Sequence, residues 1–267
     1  MNVQLALQES MERFVQSEQE ADAAEHHTET CMDALAHYLL HYSDLYQEPE
    51  GEEEPDFAEW EHNLEEQMVR MLEGDVEPAL DLGQTPLAEL DPEHIRDFIG
   101  WFVLRESGDP ELIEAYAGVL RRWFAFMVHR GWWQREEQVV FEQVLDDVVP
   151  EAVRTARAAR VFYHFVRSGG GVPPRLRGQR FSEFAEGHAR VTAIRKGALW
   201  FAFDNHEGEI GPVALPKVIL DMVAEGDVFD LELGLRGDAW VLVDVGPIYP
   251  ACVYVEAEEY QDLDKIS

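Results

Sequence analysis

Only two cysteines, Cys31 and Cys252, stand among the 267 residues. That is too few for a disulfide framework or a cysteine-ligated zinc site, so packing must hold the fold and a reduced, cytoplasmic setting is expected. Lysine is almost as scarce, at Lys196, Lys217 and Lys265. In all, 21 basic residues face 54 acidic ones, a formal net charge of −33. A chain this negative repels phosphate backbones and anionic membranes on average. Long apolar runs are missing too. The stretch Ala239 to Val255 is interrupted by Asp244, Pro247 and Pro250, so it reads as strands and turns and no membrane partner is expected. No positive segment precedes an apolar core near Met1, so no secretory signal is expected.

Catalytic signatures are equally thin. Gly169 to Gly171 lacks the G-K-[ST] continuation of a phosphate loop, and neither G-x-S-x-G nor G-x-G-x-x-G occurs. The glutamates at 52–54 sit in a polar run, and Asp146 and Asp147, as helix neighbours, diverge; neither pair forms a visible acid–base site. An enzyme is therefore the class least favoured, and no cofactor is expected.

What the chain does contain is apolar material and segregated charge. At 46% hydrophobic and 11% aromatic it can build real cores, and its length suits about two domains. Residues 1–94 hold 26 acidic and two basic residues, a net of −24, whereas Ala152 to Phe181 hold seven arginines and no acid.

The pattern runs helix first and sheet second. Residues 2–24 and 30–46 are predicted helical, the second with an apolar stripe of Leu35, Tyr38, Leu39, Tyr42 and Leu45. Gln47 to Asp56 reads as a solvated loop, and 57–72 as a further helix. Asp91-Pro92-Glu93 and Asp109-Pro110-Glu111 both start helices, with the acid at the N-cap and proline at the first helical position. Ile95, Phe98, Ile99 and Phe102 mark the buried face of the first. The second runs to Gly131, a suitable terminator. Two more helices, 135–149 and 151–167, are expected on either side of Pro150. Ser168 to Pro174 is a Gly/Pro linker and the expected domain boundary.

Beyond it the period changes to two. Residues 189–196, 198–204, 209–215, 228–235 and 239–245 are predicted strands, with a short helix possible within 216–225. The expected fold class is thus α+β in two domains. An acidic helical domain (1–167) is followed by a linker (168–180), a small five-stranded antiparallel β-barrel (181–255), OB-like or SH3-like, and an acidic tail (256–267).

Two resemblances attach to these segments. The run Asp91-Pro92, Ile95, Phe98, Trp101, Tyr116, Leu120-Arg121, Phe124, Met127-Val128 and Gly131, within residues 90–132, resembles the helical core-binding (SAM-like) domain of tyrosine recombinases and phage integrases. That resemblance implies a helical clamp on DNA with catalysis in a second domain. The region after Arg175 is too short and too β-rich to be that catalytic domain, so strand transfer is excluded. Residues 187–245 resemble OB or S1-like barrels in strand order and in the Gly226-Asp227 pair entering the fourth strand.

Three constellations are candidates for function. Arg154, Arg157, Arg160 and Arg167 share one broad side of a helix, and Arg175, Arg177 and Arg180 continue into the linker. Such a row suits phosphates, or else it pairs with the protein's own acidic helices or with those of a second subunit. Trp200 and Trp240 alternate with Phe201, Phe203, Val241 and Val243, and form stacking platforms for bases if exposed, packing if covered. His37 and His41, with Asp33 and Asp44 on the same face and Glu25, His26, His27 and Cys31 nearby, have metal-ligand spacing, although a solvated polar face has the same pattern. The expected function is a non-catalytic interaction or regulatory protein that binds a protein partner through acidic helices and barrel. A nucleic-acid-binding accessory factor is the alternative, and a metal-binding helical domain the third possibility.

Overall fold

A computed structural model describes residues 5–21, 27–43, 82–172, 174–205 and 207–260, and the chain divides into compact units Met1–His94 and Ile95–Ser267. The order is α+β, helices followed by a five-stranded mixed sheet.

In the first unit, α1 (Leu7–Glu20) buries Leu7, Met11 and Phe14, and α2 (Thr28–His41) buries Cys31 and, of the predicted stripe, Leu35, Tyr38 and Leu39; Tyr42, just past its end, is half-buried, and Leu45 lies outside the described residues. The opening amides of α1 have no partner within the helix. Leu7 N donates to the Thr85 carbonyl at 2.8 Å and Gln8 N to the Leu82 carbonyl at 3.0 Å, which ties residues 82–87 to this end. The helix expected over 57–72 and the loop before it lie outside the described residues.

α3 (Pro92–Asp97) starts where Asp91 accepts from Glu93 N at 2.8 Å, then loosens into a π-helical turn (Phe98–Phe102) before α4 (Val103–Glu106). All five residues of the π turn are buried. Gly100 explains how they fit. A Cβ there would sit 2.8 Å from Val253 and 2.9 Å from Val148, so only glycine permits this approach. α5 (Pro110–His129) begins on the Asp109 cap and ends on Gly131, whose φ of 71°, with Gly131 N donating to the Val128 carbonyl and Trp132 N to the Met127 carbonyl, forms a Schellman closure.

The two helices expected around Pro150 are one. α6 (Arg135–Arg167) runs unbroken for 33 residues. Proline removes one amide donor, but the carbonyl it orphans belongs to Asp146, an exposed residue, so the lost bond falls on the outer side of the helix and not in the core. The buried series Val144, Leu145, Val148, Ala152, Val153 and Ala156 passes the proline on the other side. The first half of α6 meets the aromatic cluster of Phe124, Trp133 and Phe141, while Ala158 and Phe162 enter the core of the sheet. Consequently Ser168–Pro174 is not where the compact units divide. Leu176, 1% exposed, anchors the segment that follows it.

β1 (Glu183–Arg195), β2 (Ala198–Ala202), β3 (Ile210–Ala214), β4 (Val228–Arg236) and β5 (Ala239–Tyr249) hydrogen-bond in the closed order β1-β2-β3-β5-β4, with α7 (Lys217–Leu220) between β3 and β4. The sheet is not wholly antiparallel as expected. β5 returns from the β4 hairpin alongside β3 and pairs with it in parallel, Val213 opposite Trp240. Leu199, Phe201, Phe229, Leu231, Leu233 and Leu242 fill the interior, and Phe162 of α6 stands edge-on to Phe229 with ring centroids 5.2 Å apart. Residues 256–260 of the expected acidic tail enter the fold, while 261–267 lie outside the described residues. Val253, Val255 and Ala257 are buried in alternation with exposed Tyr254, Glu256 and Glu258, and Glu259 bridges Gly187 of β1.

Candidate interaction surface

The arginine row is positioned by α6, and most of it meets carboxylates of its own compact unit. Arg154 makes a bidentate pair with fully buried Asp227, both bonds 2.8 Å, and also reaches Glu151 and the Met222 carbonyl. Burial alone would lower the Arg154 pKa; the Asp227 pair more than offsets it and raises it. Asp227 also accepts from Ala224 N, so this pair locks α6 to the turn entering β4. Arg160 reaches Asp109 at 3.1 Å and Glu111 at 3.7 Å, Arg157 reaches Glu114 at 3.7 Å, and Arg175 reaches Asp238 at 3.1 Å. These partners lie on α5 and the β4–β5 turn, not on the strongly acidic 1–94 segment. Arg167 covers the Tyr163 ring at 5.2 Å. Arg177 and Arg180 are exposed, with no carboxylate at ion-pair distance among the described residues.

His164 and Arg167 also make one H-x-x-R spacing, the catalytic spacing of tyrosine recombinases. It sits on the last turn of α6, immediately ahead of a five-stranded sheet, so it lends that chemistry no support.

The tryptophans do not form a shared platform. Trp240 packs half-buried against the barrel interior. Trp200 stays on the outer face, opposite Phe201 and Phe203, but its ring already carries a cation: Arg195 lies 4.4 Å from its centroid and pairs with Glu209 at 3.0 Å. Gly211 backs the same ring, since a Cβ there would lie 3.0 Å from it.

His37 and His41 project from the exposed face of α2 with ring centroids 4.6 Å apart, as their spacing predicts. Asp44, Glu25 and His26 fall outside the described residues. Among the described residues no group of three or more His, Cys, Asp or Glu side chains is arranged to hold a metal ion. The same residues include no helix long and apolar enough to cross a membrane.

Two features escaped the sequence. The first is a carboxylate row. Strand register sets Glu186 of β1 opposite Glu232 of β4, and Glu232 opposite Asp244 of β5. Like charges directly opposite on adjacent strands repel. Burial, and then Glu186 and Asp244, push the Glu232 carboxyl above its ordinary pKa. No ion pair reaches these three among the described residues.

The second is the strap formed by residues 253–260. Arg190 donates to the Val255 carbonyl at 3.0 Å, and Asp204 N donates to the Ala257 carbonyl. Asn205 exchanges two bonds with the Glu259 backbone at 2.8 and 2.9 Å. Along β1, His188 N donates to the Glu258 carbonyl at 2.9 Å and Tyr260 N to the Glu186 carbonyl at 2.7 Å. Tyr260 then crosses His188, ring centroids 5.6 Å apart, toward Asp230 at 3.4 Å. Burial, with Asp230 and Glu186, pushes the Tyr260 hydroxyl up to about 12. Burial lowers the His188 pKa against the attraction of Asp230. No family model, curated protein or solved structure matches the chain.

Proposed function

We propose that this chain is a non-catalytic interaction protein that binds a basic protein partner through the carboxylate face of its barrel, with the acidic 1–94 segment adding long-range attraction. The observation that carries this reading is the row Glu186, Glu232 and Asp244, which crosses three adjacent strands with no ion pair among the described residues. Such a row costs stability, and a partner that supplies lysine or arginine would turn the repulsion into attraction. Bulk charge agrees: residues 183–260 hold fifteen acidic and five basic residues, a net of −10. The strand order, with a helix between β3 and β4, fits the OB type better than the SH3-like one.

A second reading, a nucleic-acid accessory factor, keeps support from that OB order and from exposed Arg177 and Arg180. One titration separates the two. Full-length protein is mixed with a fluorescent lysine-rich peptide and, separately, with labelled single-stranded DNA, duplex DNA and RNA, at rising salt. The first reading expects peptide binding that weakens with salt and no nucleic-acid binding at physiological salt. Nucleic-acid binding without peptide binding would overturn it.

A further inference from the structure

The edge of β1 is shared unequally. From Arg190 to Arg195 it pairs with β2, whereas the same edge over residues 184–189 is left to the strap. Only the strap's end, Glu258–Tyr260, lies on it. The apolar anchors Val253, Val255 and Ala257 come earlier, and at the end itself only the Tyr260 ring is partly covered, 48% exposed.

This end is a poorly matched occupant. Glu256, then burial and Asp204, push the Glu258 carboxyl up, while Tyr260 is the strap residue that faces Asp230 and Glu186. Its backbone, by contrast, is well accommodated. Gly187, with φ of 149°, lies so close that a Cβ would come within 2.1 Å of the Glu258 carbonyl oxygen. A side chain at this position would close the edge to any strand. Outward from the same stretch of β1 point Phe184, 52% exposed, Glu186 and His188, next to Glu232 and Asp230 of β4. The edge is thus open to an extended backbone, while its rim is acidic.

We infer that residues 184–188 of β1 form a strand-addition site for an extended basic segment of a protein partner, and that Glu258–Tyr260 is its displaceable occupant in cis. The incoming segment would take over the hydrogen bonds to His188 N and the Glu186 carbonyl. Its lysines or arginines would meet Glu186, Glu232, Asp230 and Asp204, where the strap now offers Glu258 toward Asp204 and the neutral Tyr260 toward Asp230 and Glu186. The titratable groups around His188 are Asp230 on β4, Tyr249 on β5, Tyr260 on the strap and Arg105 on α4. This inference rests on the reading above, and it adds a route and a competitor.

The test uses the full chain, a short capped peptide of alternating lysine and threonine, and three proteins: wild type, Asn205→Ala and Glu232→Gln/Asp244→Asn. Asn205 is exposed and clamps only the strap, so its loss frees the edge without opening the core. Because masking lowers apparent affinity by the fraction of chains in which the edge is free, Asn205→Ala is expected to bind about tenfold tighter than wild type. Hydrogen exchange at the His188 and Tyr260 amides is expected to diverge on binding, with His188 staying protected and Tyr260 losing protection. Equal affinity for wild type and Asn205→Ala, with Tyr260 still protected, would overturn strand addition and leave the carboxylate-face reading standing. Tighter binding by Asn205→Ala that Glu232→Gln/Asp244→Asn leaves unweakened would keep strand addition and remove the carboxylate row. No peptide binding by any of the three would remove both.

Discussion

The row of arginines on α6 and the row of carboxylates across β1, β4 and β5 are opposite in sign and in fate. Arg154, Arg157, Arg160 and Arg175 all find acids within their own compact unit, and Arg154 does so against a fully buried Asp227. Among the described residues Glu186, Glu232 and Asp244 meet no cation, only one another across the strands and, for Asp244, the Val245 amide. A helix can aim long flexible side chains at neighbours on either side of it. A sheet fixes its side chains at strand spacing, so a same-sign row cannot relax away. Most of the arginine row on α6 is therefore structural, and the carboxylate row is the charge that the proposed reading gives to a partner.

The largest expected effect breaks the internal side of that contrast. Asp227→Ala leaves Arg154 partly buried without its carboxylate and is expected to cost about 3–5 kcal/mol in denaturant unfolding. An apolar double replacement, Arg154→Met with Asp227→Leu, is expected to recover most of the loss. If Asp227→Ala cost nothing, α6 would not be locked to the barrel by this pair. Next comes Gly100→Val, which drives a side chain into Val148 and Val253; thermal unfolding is expected to show a loss of about 1–3 kcal/mol.

Smaller effects sharpen the external side. Glu232→Gln removes a charge from the repelling row and is expected to stabilise by about 0.2–1 kcal/mol. The gain should depend on pH. Because the folded-state pKa of Glu232 is raised, wild type keeps its full stability below the unfolded carboxylate range and loses some as pH rises through the folded value. The substitution should flatten that loss, which a series of unfolding curves across the carboxylate range would measure. Arg160→Ala is expected to change stability least, within about 1 kcal/mol, since its pairs with Asp109 and Glu111 are half-exposed and screened.

Much of the fold was legible because local chemistry settles it. Asp109-Pro110 capped its helix, Gly131 ended it, and five strands stand where the period of two placed them, β1 and β5 running longer than expected. Pro150 misled because a proline's cost depends on which side of the helix it faces, and that is decided by tertiary packing. Residues 256–260 read as solvated charge because alternation over so short an acidic run is hard to see. The site was less legible still. Asp227 lies 73 positions from Arg154, and the carboxylate row exists only once three strands are in register. Trp200 was visible, but the Arg195 that covers its ring follows from geometry that strand pairing creates.

The most direct test of the central claim is calorimetric titration of a lysine-rich peptide into the full-length wild type and into Glu232→Gln/Asp244→Asn at one physiological salt concentration. The expected result is binding to wild type and a loss of about tenfold or more in affinity for the variant, with both proteins equally folded. Equal affinity for the two would contradict the assignment of the carboxylate row as the partner surface.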